Sequence, residues 1–149
     1  FQPLSCSWKL ESQMAILIVV AGIGNSGKTK SIKDFALANL TNFPSPTGVE
    51  ISYAGPFTKN FRQYTIGIRS AGDTKALILD AIKFFTKNNC NLMVCATKSR
   101  GVTVNTINTF IAANPSLNVH HIQTRWFATV AQRAADNARV AQAILSHIP

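Results

Sequence analysis

The run Ala15 to Val20, AILIVV, is apolar at every position, rich in β-branched residues, and opens directly onto a glycine-rich loop. A strand with no polar face has both faces covered, which points to the middle of a parallel sheet packed between helices. After the loop, KSIKDFALANL repeats apolar residues at Ile32, Phe35, Ala36 and Leu40, one face of a helix, and Pro44 and Pro46 end the pattern. A buried strand, a glycine-rich loop and a helix in immediate succession restrict the fold more than any other feature of the chain.

The remaining elements extend the same alternation. VEISYA and QYTIGIRS read as two short strands joined by a turn-rich GPFTKNF, an antiparallel ribbon at the sheet edge. Residues Thr74 to Lys87 place Leu77, Ile78, Ala81, Ile82 and Phe85 on one helical face. NLMVCA is a second buried strand, VNTINTFIAA a third helix closed by Asn114 and Pro115, and NVHHIQT the last strand. From Phe127 to Ile148 a terminal helix is expected to face the core through Val130, Ala134, Ala138, Ala141 and Leu145. Parallel neighbours need crossover connections, so the expected fold is α/β, a three-layer α/β/α sandwich with a mostly parallel sheet and an antiparallel edge ribbon. The 149 residues suit one domain, assigned to 14–149. Residues 1–13 show no periodicity and are read as an N-terminal extension, native or appended.

Composition narrows the class of partner. Fifteen Lys and Arg against six Asp and Glu leave a formal charge of +9, which favours an anionic ligand: nucleotide, nucleic acid or another polyanion. The basic residues are scattered, with no block that reads as a nucleic-acid-binding tail. Cys6, Cys90 and Cys95 form no C-x-x-C pair and read as free thiols of a reducing cytoplasm. The longest apolar run, Met14 to Ala21, is 8 residues, against about 20 for a membrane span, so no membrane partner is expected.

Gly22, Ile23, Gly24, Asn25, Ser26, Gly27, Lys28 and Thr29 satisfy G-x-x-x-x-G-K-[ST] without a mismatch. Each part has a physical task. Glycines let the backbone turn tightly and bring its N–H groups against phosphate oxygens, where a Cβ would intrude. The following helix turns its unsatisfied first-turn N–H groups and positive dipole end toward the same anion, with Lys30 in that turn. The Lys28 ammonium reaches the β and γ phosphates, and the Thr29 hydroxyl suits a magnesium ion. A random chain of this length matches the pattern on the order of once in a few hundred sequences. Its position between a buried strand and a helix makes coincidence rarer still.

On this motif the sequence resembles the P-loop NTPase superfamily from Met14 onward. The resemblance implies binding of ATP or GTP with Mg2+, and an acidic residue at the end of another strand that holds the metal through water. Asp73, after YTIGIRSAG, is the preferred acid, for the metal or a water; the alternative is that it caps the helix that follows. Glu50, expected at the other end of its strand unless the direction of the ribbon inverts it, ranks well behind. SAGD resembles the turn after the third strand of small GTPases. However, Arg69 stands where that family has an Asp, and NVHHIQTRW lacks its guanine-reading N-K-x-D pattern, so guanine specificity is unsupported.

Other candidates lie at the same sheet edge. TKSRG after NLMVCA supplies Lys98 and Arg100, of which Arg100 is the sharper candidate to stabilise a transferring phosphoryl group; an exposed basic turn is the alternative. Trp126 beside Arg125 reads either as a platform for a base or, more commonly, as an anchor for the last helix, and it is left outside the expected site. His120 and His121 are adjacent on a strand, face opposite ways and do not share a metal. The resulting expectation is Mg2+-dependent phosphoryl transfer, as an NTPase or a small kinase, with Lys28, Asp73 and Arg100 in catalytic roles. The alternative is a nucleotide-dependent module that regulates contact with nucleic acid or a partner protein and turns over little or nothing.

Overall fold

The computed structural model describes residues 15–23, 27–41, 43–44 and 50–149. The strands are β1 (Ile16–Ala21), β2 (Ser52–Lys59), β3 (Arg62–Arg69), β4 (Leu92–Thr97) and β5 (Asn118–Gln123). The helices are α1 (Lys28–Asn39), α2 (Lys75–Lys87), α3 (Val102–Ala113) and α4 (Val130–Ser146). The strands form a single five-stranded sheet in the order β2-β3-β4-β1-β5, parallel throughout except for β2 against β3. The expected extension 1–13 lies outside the described residues. Among those described, no helix is long and apolar enough to cross a membrane.

Alternation along the central strands divides the core. Ile16, Ile18 and Val20 of β1, with Leu92, Val94 and Ala96 of β4, point to one face, where Ile32, Phe35 and Ala36 of α1 and Val140 and Ile144 of α4 cover them. Leu17, Val19, Met93 and Cys95 point to the other, under Ile78, Ala81 and Phe85 of α2 and Ile107 of α3. Helices thus cover both faces, compatible with the expected three-layer sandwich.

Two details differ from expectation. The ribbon is longer and its turn tighter: GPFT continues β2, and only Asn60 and Phe61 form the turn, both at positive φ (51° and 67°). That geometry matches the right-handed twist of the flanking strands, and Pro56 is tolerated because β2 is an edge strand. In α4 the buried face is Asp136, Val140 and Ile144, whereas Val130, Ala134 and Ala138 are exposed. The true stripe begins on a carboxylate, so an apolar period cannot reveal it. Asp136 is buried because its oxygens accept from the Arg125 N–H and from Arg139 Nε, each at 2.9 Å.

The topology collects several loops at one edge. Ala21 pairs with Thr97 and with Gln123, and Arg69 with Cys95, so β1, β3, β4 and β5 end together. Because β2 runs the opposite way, Ser52 pairs with Arg69 and the start of β2 joins that edge. Gly72 presses its backbone against the Ala96 carbonyl of β4 so closely that any Cβ would collide with it. This approach seats the 70–73 turn against the strand next to β1.

Candidate functional site

The motif's lysine is almost enclosed. Gly27 is the N-cap of α1 in the left-handed region (φ 88°), a conformation that costs glycine nothing and lets Lys28 begin the helix as the chain leaves the loop. Lys28 is 8% exposed, and its Nζ donates to the Gly22 carbonyl at 2.7 Å, bridging the first and last parts of the loop. Gly22 N–H in turn donates to the Thr97 carbonyl at 3.2 Å, tying the loop to β4. Ser31, also buried, has its one hydroxyl donor within reach of both the Gly27 carbonyl, at 2.7 Å, and Asn137 Oδ1 of α4, at 3.1 Å. Ile23 is exposed, and Lys30 is exposed and paired with Asp34 at 2.6 Å. Gly24, Asn25 and Ser26 lie outside the described residues.

Both candidate acids reach this loop. Asp73 Oδ1 is 3.5 Å from Lys28 Nζ, and its side chain is 61% exposed. It is not the cap of α2. That position is Thr74, whose Oγ1 accepts from the Leu77 N–H at 3.2 Å. An ion pair this long and this exposed contributes about 1 kcal/mol or less.

Glu50 is nearer than its sequence ranking implied. Its Oε2 accepts from the Thr29 hydroxyl at 3.2 Å and from the Ser70 hydroxyl at 2.8 Å, and Ser70 Oγ accepts from the Ile51 N–H at 2.6 Å. In an antiparallel ribbon the start of the first strand lies beside the end of the second, so Glu50 belongs to the same edge as Asp73. Pairing direction was the signal that could have found it.

Arg100 lies on the exposed β4–α3 turn, and among the described residues it makes no hydrogen bond or ion pair with Lys28, Thr29, Glu50 or Asp73. Arg69 lies over the Phe84 ring at 4.9 Å, a cation–π contact. His120 stacks on His147 with centroids 4.4 Å apart, and His121 is exposed. Trp126 does not bury itself as an anchor would: it is 57% exposed and lines a pocket with Gly27 and Lys30.

The residues suit a magnesium ion. The Thr29 hydroxyl and the Glu50 and Asp73 carboxylates are hard oxygen donors, the kind Mg2+ takes in small number alongside substrate phosphates and water. Among the described residues no three His, Cys, Asp or Glu gather into a cage. Comparison with protein-family models, with curated proteins and with solved structures found no match.

Proposed function

We propose that the chain binds a nucleoside triphosphate with Mg2+ at Gly22 to Thr29 and transfers its terminal phosphoryl group to water or to a hydroxyl or phosphate acceptor. One observation carries the reading: a nearly buried ammonium, Lys28, held across its own glycine-rich loop at the N-terminus of α1, beside two carboxylates at the same sheet edge. Lysine is rarely so enclosed, and among the described residues its partners are one carbonyl and one long contact to an exposed carboxylate. A polyphosphate would supply a closer anion than Asp73 does.

On this reading each residue acts through its own chemistry. Lys28 exchanges the Gly22 carbonyl for phosphate oxygens, and charge-assisted bonds there offset the developing negative charge. The N–H groups that open α1 hold the same oxygens. Thr29 and Glu50 are the residues that would hold the metal, which when bound neutralises phosphate charge. Asp73, released from Lys28 as the phosphates arrive, orients the attacking water or acceptor hydroxyl and takes its proton. Arg100, exposed on the β4–α3 turn at the same sheet edge, is the candidate cation for the transferring phosphoryl group.

The test is turnover with ATP and GTP in the presence of Mg2+, followed as released phosphate or as a phosphorylated acceptor. Turnover that depends on Lys28 and Asp73 supports the enzyme. Tight binding without turnover supports the regulatory module instead.

A further inference from the structure

The proposed triphosphate site has a direction. Glu50 and Asp73 approach the loop from the β3 side, whereas a pocket of about 220 Å3 opens on the opposite side, beyond β1, where Gly27 and Lys30 meet the β5–α4 loop and α4. Metal and terminal phosphate belong with the carboxylates. The other end of the ligand, the nucleoside, then points to this pocket.

The pocket is walled by Arg125, Trp126, Phe127, Arg133 and Asn137. Its aromatic wall is firmly mounted. The Arg125 N–H is fixed on buried Asp136, Arg139 donates to the Gln123 carbonyl at 2.8 Å, and Arg133 donates to the carbonyls of Phe127 and Ala128 at 3.1 and 2.9 Å. A half-exposed indole on a tethered loop offers a flat ring at little entropic cost.

The same walls favour the face of a base over its edge. Among the described lining residues none is a carboxylate, both arginines are donors only, and the side-chain acceptor is the Asn137 amide oxygen, 3.1 Å from Ser31 Oγ. An arginine can read guanine through O6 and N7 and an amide can read adenine through N6 and N7, but Arg133 Nη1 is already engaged by the carbonyls of Phe127 and Ala128, so the ring face is the larger handle. We propose, building on the triphosphate reading, that Trp126 binds the nucleoside by stacking on the heterocycle's face, so that the protein takes all four nucleoside triphosphates with little discrimination. Stacking tolerates any base because every base has a π face.

Calorimetric titration of the full chain with ATP, GTP, CTP, UTP and inorganic tripolyphosphate, each with Mg2+, tests this. The four nucleotides should agree within about tenfold, purines ahead, since stacking strength gives only modest preferences. Each should bind about 5- to 150-fold tighter than tripolyphosphate, the range that loss of one base–aromatic stack spans. Trp126→Ala should bring the nucleotides down to the tripolyphosphate level without altering tripolyphosphate itself, and Trp126→Phe should restore most of the difference. Tripolyphosphate binding with nucleotide affinity indifferent to Trp126→Ala would overturn the stacking site and leave the phosphate loop standing. A preference of about a hundredfold or more for one base would also overturn it. Absence of binding by any of the five would remove the triphosphate reading and this inference together.

Discussion

The Thr29 hydroxyl donates to Glu50 across 3.2 Å, joining the last residue of the glycine-rich motif to a carboxylate 21 positions later. The contact sets two oxygen donors side by side at the N-terminus of α1, and Ser70 holds the carboxylate from the other side at 2.8 Å. Glu50 is itself exposed, so its truncation should leave the fold intact. Glu50→Ala should raise the Mg2+ concentration needed for half-maximal nucleotide binding by about 10- to 100-fold, as loss of a metal-orienting partner typically does. A magnesium titration at fixed nucleotide checks it; an unchanged midpoint removes Glu50 from the metal site.

Asp73 and Thr74 are neighbours with separable tasks. Asp73→Asn gives up an exposed ion pair, so the melting temperature should hardly move, while turnover should fall by about 10²- to 10⁴-fold. Thr74→Ala removes the cap of α2 and should cost about 1 kcal/mol of stability while sparing magnesium dependence. Paired denaturation and turnover measurements on both variants decide the assignment. The reverse pattern would make Asp73 a structural residue.

The course of the chain was largely legible in its sequence because its elements announce themselves by apolar period: AILIVV and NLMVCA as strands without a polar face, Ile78, Ala81 and Phe85 as a helical stripe. What stayed hidden depended on polar pairing that no apolar period records. Glu50 joins the site through the antiparallel direction of β2 against β3, and Asp136 is buried because a backbone N–H and a guanidinium satisfy it. Trp126 was ambiguous for a related reason: its exposure depends on how Asp136 and Arg139 hold the β5–α4 loop, which local composition does not encode.

Gly72 tests the mounting of Asp73. Because a Cβ there would collide with the Ala96 carbonyl, which is backbone and yields little, Gly72→Ala should lower stability by about 1–3 kcal/mol and displace the turn. Chemical denaturation measures the first effect, and turnover of the folded fraction measures the second. Wild-type stability in this variant would mean that the turn does not pack on β4 as described.

His120 gives the fold an acid-sensitive point. Burial, and then the neighbouring charge of His147, hold its imidazole below the ordinary value of 6.5, and among the described residues its enclosed Nε2 has no hydrogen-bond partner. A depressed pKa means that the folded state favours the neutral ring. Its contribution is complete above the ordinary value and is lost as pH falls below that value through the depressed one. Between about pH 7.5 and about pH 5.5 the wild-type melting temperature should therefore fall further than that of His120→Phe, which keeps a ring against His147. Parallel pH profiles for the two proteins would contradict this.

Lys28 carries the account. Calorimetric titration of wild type and Lys28→Ala with ATP and GTP in Mg2+ tests it most directly, with a melting curve of each protein to establish folding. The prediction is saturable binding by the wild type and a loss of about 100-fold or more in a folded Lys28→Ala, as expected when a charge facing ligand is removed. Equal affinity in the two proteins, or no affinity in the wild type, would contradict it.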